Sequence, residues 1–275
     1  MFKRILSGSA LAPLLILLLL AGSRVMLFPL LMLAALFLLW EWVRLHEAIS
    51  VVVFAPLLGA VWLLLGTGFM GHADWIGMEL VLILGLLLSL GLIEYQPGMV
   101  ITERIGFRFM GVVYCGVPLL LLDGIRGMEH GGSMICFLLI IIWFTDSGAY
   151  FVGRKFGRRK ISPIISPNKT WAGFWGGTGL GLVAGVGSVM VFKTPFSLSE
   201  GMLLGLVLSL SGQVGDFVES LFKRESGVKD SGQLIPGHGG LLDRLDSLLF
   251  AIPVFAGYLQ LRESGLIWGA LGFGG

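Results

Sequence analysis

The run LVLILGLLLSLGL, Leu80 to Leu92, decides the fold class. It does not alternate polar and apolar residues. That excludes a strand of an outer-membrane barrel, where every second side chain turns away from lipid. Its uncharged length suits a helix in hydrocarbon. LAPLLILLLLAG, Leu11 to Gly22, reads the same way. Such runs recur along all 275 residues, of which 56% are hydrophobic and 13% charged. A mean hydropathy of +0.91 leaves too little polar surface to cover a soluble domain. The chain therefore reads as an all-α, polytopic integral membrane helical bundle with about nine spans. They are placed at roughly 7–22, 25–42, 50–68, 76–94, 107–123, 133–152, 172–191, 199–221 and 247–268. Lys3 and Arg4 ahead of an apolar run would also begin a signal peptide. The next apolar run starts almost at once, so a retained first span is expected.

Nine spans put the N-terminus and every second loop on one side. That side receives 15 of the 19 Lys and Arg residues, and only Arg24, Arg126, Lys193 and Arg262 fall on the other. The asymmetry marks the first side as cytoplasmic. A net charge of +2 implies no nucleic-acid partner. Cys115 and Cys136 lie in apolar stretches and read as small core residues. The three glycines Gly177, Gly181 and Gly185 form two overlapping GxxxG steps, a signal for close helix packing. The nearby GLGLVA, 179–184, lacks the preceding strand that a dinucleotide site needs, and no P-loop sequence occurs.

The two longest polar loops, 153–171 and 222–246, fall on the cytoplasmic face and belong to the half spanning 133–275. Residues 1–132 supply membrane helices alone. GRKFGRRKISPIISPNKTW carries six basic residues and no acid, which suits topology or anionic headgroups. Pro163 and Pro167 also break any helix and favour fixed turns. Ser166, Asn168, Lys169 and Thr170 would then present donors ahead of a helix, an arrangement that suits phosphate oxygens. The second loop mixes Lys223, Arg224, Lys229 and Arg244 with Glu225, Asp230, Asp243 and Asp246. Mixed charge suits a site for both a cation and polyphosphate.

Asp216, Glu219, Ser220 and Lys223 share one helix face. A plain ion pair with Lys223 is one reading, and a cation site is the other. Asp243 and Asp246 form a second acidic pair at the start of the last span. Acids there can simply answer the helix dipole. Two acidic helix ends on one face can instead converge on Mg²⁺, which takes carboxylate, water and phosphate oxygens. Asp146, among Trp143, Phe144 and Tyr150, is either a candidate site residue or a buried, hydrogen-bonded Asp. His238 has no Cys or second His at zinc spacing, and its glycine neighbours suggest a turn. EHGGS, 129–133, repeats the His-Gly-Gly triplet on the opposite face without acidic partners, so the triplet alone carries little.

The segment SLFKRESGVKDSGQLIPGHGGLLDRLD, Ser220 to Asp246, resembles the signature of phosphatidate cytidylyltransferases, also called CDP-diacylglycerol synthases. The family's serine, Lys-Arg and Lys-Asp pairs, proline, His-Gly-Gly and closing Asp-Arg-x-Asp are all present. The likeness extends to GQVGDFVES, ISPNKTWAG and DSGAYFVGRKFG, and so covers roughly 140–250. It departs at Ala172, where the family usually has an acid. The resemblance implies an all-helical bundle with a polar cavity open to the cytoplasm, working as a homodimer. It implies CTP and phosphatidic acid as substrates, and CDP-diacylglycerol and pyrophosphate as products. Asp216 and Asp243 would be leading Mg²⁺ ligands, with Asp246 assisting and a monovalent cation such as K⁺ alongside. Lys229, Asp230 and His238 would join the catalytic set. Ser166, Asn168, Lys169, Thr170, Ser220, Lys223, Arg224, Arg244 and Asp146 would line the substrates. A bacterial inner membrane is the expected setting. A CTP-dependent lipid kinase and an ion-coupled transporter are the rival readings, and both the kinase and the transferase would need the bilayer as a partner.

Overall fold

The computed structural model describes residues 22–47, 49–232 and 239–264. Among them run eight long helices: α1 Arg24–His46, α2 Val51–Phe69, α3 Ile76–Glu94, α4 Ile101–Gly127, α5 Gly131–Phe156, α6 Trp171–Val191, α7 Leu198–Glu225 and α8 Leu242–Glu263. The first seven are long and apolar enough to cross a membrane, which makes this a polytopic helical membrane protein. Seven of the nine expected spans, 25–42 to 199–221, coincide with these seven helices, while the last, 247–268, overlaps α8, which is not among them, and its final residues lie outside the described ones. The first, 7–22, lies outside the described residues apart from its last position. Most helices overrun the expected ends. α4 begins at Ile101, six residues ahead of the apolar run, because Thr102, Glu103 and Arg104 can continue a helix in water.

The all-α expectation holds, and one short hairpin accompanies the helices. Lys160–Ser162 (β1) and Ser166–Thr170 (β2) pair antiparallel, with Lys160 opposite Thr170 and Ser162 opposite Ser166. Pro163 occupies the turn and Pro167 an exposed position, where a missing N–H costs little. Local signals set the helix starts on either side. Thr170 accepts from Gly173 N at 3.1 Å to cap α6. Ser197 and Glu200 form a reciprocal capping box on α7.

The glycine stripe of α6 does what its spacing predicts. A Cβ on Gly177 would stand 2.7 Å from the Thr145 carbonyl of α5. One on Gly185 would stand 2.3 Å from the Gly201 carbonyl of α7. Helix α6 is thus held between α5 and α7 at a distance that only glycine permits. On the other side of the bundle, α1 packs against α4 through Trp42. Its ring stacks on Phe107 at 4.8 Å, and its Nε1 donates to the Phe107 carbonyl at 3.0 Å.

Because the helices alternate in direction, the ends of α1, α3, α5 and α7 meet the starts of α2, α4, α6 and α8. Arg108 is buried at this end and forks to Glu47 and Glu94, both at 2.8 Å. At the far end, Arg24 pairs with Asp123 at 2.5 Å and Arg262 with Glu200 at 2.7 Å. His130, of the duplicate triplet, sits at that far end with φ +59°, as the residue before α5.

Candidate active site

The end of α5, the start of α6, the hairpin and the last turns of α7 enclose a cavity of about 290 Å³. Asp146 and Tyr150 face it from α5, Asn168, Lys169 and Thr170 from β2, and Gln213, Asp216 and Phe217 from α7. The hairpin is the reason Lys169 reaches this cavity. A strand ending at the Thr170 cap aims Lys169 across the start of α6 toward α7. Its Nζ lies 2.7 Å from Asp216 Oδ2 and 3.9 Å from the Phe217 ring centre. The ion pair lacks hydrogen-bond alignment, so Lys169 Nζ is buried with no hydrogen-bond partner. Gln213 is fixed by its donation to Thr178 Oγ1 at 3.0 Å.

One turn further along α7 lies a second group. Lys223 Nζ stands 2.5 Å from Glu219 Oε2 and 2.6 Å from Asp243 Oδ1. Asp243 Oδ2 accepts from the backbone N–H groups of Ser231, at 3.0 Å, and Gly240, at 2.9 Å. Gly239 turns the chain here with φ +86°. Glu219 has no solvent exposure, and neither of its oxygens accepts a hydrogen bond. Asp246 accepts from Ser247 N–H and feels the negative charges of Asp216, Glu219 and Asp146. Five carboxylates, Asp146, Asp216, Glu219, Asp243 and Asp246, therefore crowd one end of the bundle, with Lys169 paired to Asp216 and Lys223 to Glu219 and Asp243.

The structure brings together Asp146, Asn168, Lys169, Thr170, Asp216, Lys223, Asp243 and Asp246. The ion-pair reading of Lys223 with Glu219 is realised, and the same ammonium also holds Asp243. Ser220 is buried on α7, and Ser166 opens β2. Arg224 serves the scaffold: its Nε donates to the Ile165 carbonyl at 3.2 Å and its Nη1 to Val228 at 3.0 Å, so it ties the hairpin to the second loop. Lys229, Asp230 and Arg244 are exposed and do not line the cavity. His238 lies outside the described residues. Sequence reasoning passed over Gln213, whose signal was an amide in the apolar run SGQVGDF, and Glu41, an acid inside an expected span.

The donor set bears on a metal. Crowded carboxylate oxygens, among them the fully buried Glu219 whose one close partner here is the Lys223 ammonium, suit a hard, oxygen-loving cation. Among the described residues, no three Asp, Glu, His or Cys side chains are already gathered as a cage. Mg²⁺ commonly keeps water and substrate phosphate as ligands, so a full protein cage is not required.

A cytidylyltransferase family model matches residues 2–262 of the chain. Over 152 residues the chain is 45% identical to the phosphatidate cytidylyltransferase of Bacillus subtilis (strain 168), covering 55% of this chain and 56% of that one. It is 45% identical over 150 residues to the proteins of that name from Staphylococcus aureus (strain COL) and Staphylococcus haemolyticus (strain JCSC1435). Each of those matches covers 54% of this chain and 56% of the relative. These alignments thus span about half the length of the curated relatives.

Proposed function

The chain belongs to the cytidylyltransferase family, and we propose that it transfers the cytidylyl group of CTP to phosphatidic acid, giving CDP-diacylglycerol and pyrophosphate. The observation that carries this reading is the junction of the hairpin and the signature segment at one bundle end. There Lys169 meets Asp216, and Lys223 meets Asp243. A lipid phosphate and a water-soluble triphosphate can meet only at a membrane surface, and this end of the bundle has donors for both.

In the proposed step, a phosphate oxygen of phosphatidate attacks the α-phosphorus of CTP. The new P–O bond forms as the bond from the α-phosphorus to the α–β bridging oxygen breaks, and pyrophosphate leaves with that oxygen. A phosphate monoester is already ionised at neutral pH, so no strong general base is required. Positioning and charge neutralisation supply the catalysis. Asp216, Asp243 and Asp246 would hold Mg²⁺, which when bound offsets the charge of the triphosphate. Lys169 and Lys223, now paired with carboxylates, are the cations nearest to phosphate oxygens entering the site. Asn168 and Thr170 place an amide and a hydroxyl beside Lys169, and Tyr150 and Phe174 give the cavity an apolar wall. The proposal includes a bacterial inner membrane with the site facing the cytoplasm, a homodimer, and a monovalent cation as a second ion.

Purified protein in mixed micelles should release pyrophosphate from CTP only when phosphatidate is present. Release of CDP would identify a lipid kinase instead. Ion flux in proteoliposomes without nucleotide turnover would identify a transporter.

A further inference from the structure

We infer that Glu41, in the middle of the N-terminal half, is a positioning residue that sets the active-site end of α8. This rests on the reading of Asp243 and Asp246 as site carboxylates. Glu41 is 3% exposed and is the one acid on α1, whose other charged or ionisable side chains, Arg24, Arg44 and His46, lie in its first and last turns. Among the described residues its carboxylate accepts three hydrogen bonds, all from the signature segment. Oε1 accepts from Leu241 N–H at 3.0 Å. Oε2 accepts from Leu242 N–H at 2.8 Å and from Ser231 Oγ at 3.1 Å.

Helix α8 needs this partner. Its N-cap is Leu241, which has no side-chain acceptor to offer its own helix. The first N–H groups of a helix have no intrahelical acceptor, and leaving them buried and unpaired is costly. Glu41 supplies from α1 the cap that the local sequence omits. Among the described residues no cation pairs with Glu41; its negative charge instead meets the positive end of the α8 dipole.

The same bonds fix the catalytic group. Ser231 donates its hydroxyl to Glu41 and its N–H to Asp243. Gly240 donates its N–H to Asp243, and the next two residues donate theirs to Glu41. Asp243 and Glu41 thus grip one short strip of backbone from opposite sides. Two signature glycines record the grip: a Cβ on Gly232 or on Gly240 would stand 2.5 Å from a Glu41 oxygen. Glu41 is itself held firmly, because the adjacent Trp42 is fully buried against Phe107 of α4 and Phe222 of α7.

The test uses the full chain in detergent with Glu41→Gln, which keeps size but sets an NH₂ donor against N–H donors. Hydrogen exchange, measured without metal or nucleotide, should quicken at the Leu241 and Leu242 amides by about tenfold or more, and not in α2 or α5. Turnover per folded molecule should fall about 10- to 100-fold, the range for partners that orient a ligating group. The Mg²⁺ concentration for half-maximal rate should rise. Glu41→Asp, with the charge one methylene short, should fall between. It also serves alone if Glu41→Gln does not accumulate. A merely structural role would lower the yield of folded protein and leave the Mg²⁺ midpoint and turnover per folded molecule unchanged. That result, or unchanged exchange at 241 and 242, overturns the inference. If the unsubstituted protein forms no CDP-diacylglycerol, the functional reading fails, while the exchange data still decide whether Glu41 holds α8.

Discussion

Asp243 is the residue on which most of the site's geometry converges. One oxygen holds Lys223, and the other accepts two backbone N–H groups from two parts of the loop. An Asn there would turn an NH₂ donor toward either an ammonium or two amides. Asp243→Asn should therefore lower CTP turnover by about 10- to 100-fold or more, since even loss of a group that only orients a ligand costs that much. The protein should still insert, since the apolar faces of its helices are untouched. Near-normal turnover in this variant would contradict the assignment. The carboxylates and their spacing were legible in the sequence because the period of a helix fixes which residues share a face. The partners were not. Nothing local says that Lys223 serves two acids, or that Arg224 spends its guanidinium on the hairpin carbonyl of Ile165.

At the scale of the element, α6 is the helix whose sequence told most. Its glycines at 177, 181 and 185 face neighbours, whereas Gly179 and Gly187 have nothing within 4 Å of an added Cβ. A Cβ on Gly181 would stand 2.4 Å from Thr145 Oγ1 and 2.7 Å from Ser209 Cβ. Gly181→Val should destabilise the bundle by about 1–3 kcal/mol through overpacking, seen as a lower melting temperature in detergent. Gly187→Val, two turns on from Gly179 along the same open side, should fall within about 0.5 kcal/mol of the parent. Equal effects from both would show that the α5–α6–α7 contact is looser than described. The hairpin before α6 was less legible. Two prolines predict a turn, but β1 and β2 form because Lys160 and Ser162 find partners in Thr170 and Ser166 across it. Pairing of that kind depends on register across a turn, which a single run of residues does not display.

Across the whole molecule, charge was legible as a count and not as a network. The uneven split of Lys and Arg predicted a polar face, and the carboxylates, the lysines and Arg108 meet at that end of the bundle. It did not predict that the N-terminal half would enter the site. Glu41 and Leu241 lie 200 residues apart in sequence, and only the packing of α1 against α4 and α8 brings them together. The contacts of Glu41 thus join residues 1–132, read from composition as membrane helices alone, to the half that carries the candidate site, as the proposed reaction between a lipid and a nucleotide requires. The central claim is that the phosphorus bonded to cytidine is the one that moves. Phosphatidate should be incubated with CTP labelled either at the α- or at the γ-phosphorus, and the extracted lipid counted. The account predicts that the α-label enters the lipid and the γ-label leaves in pyrophosphate. Label from the γ-position in the lipid, with CDP released, would contradict it.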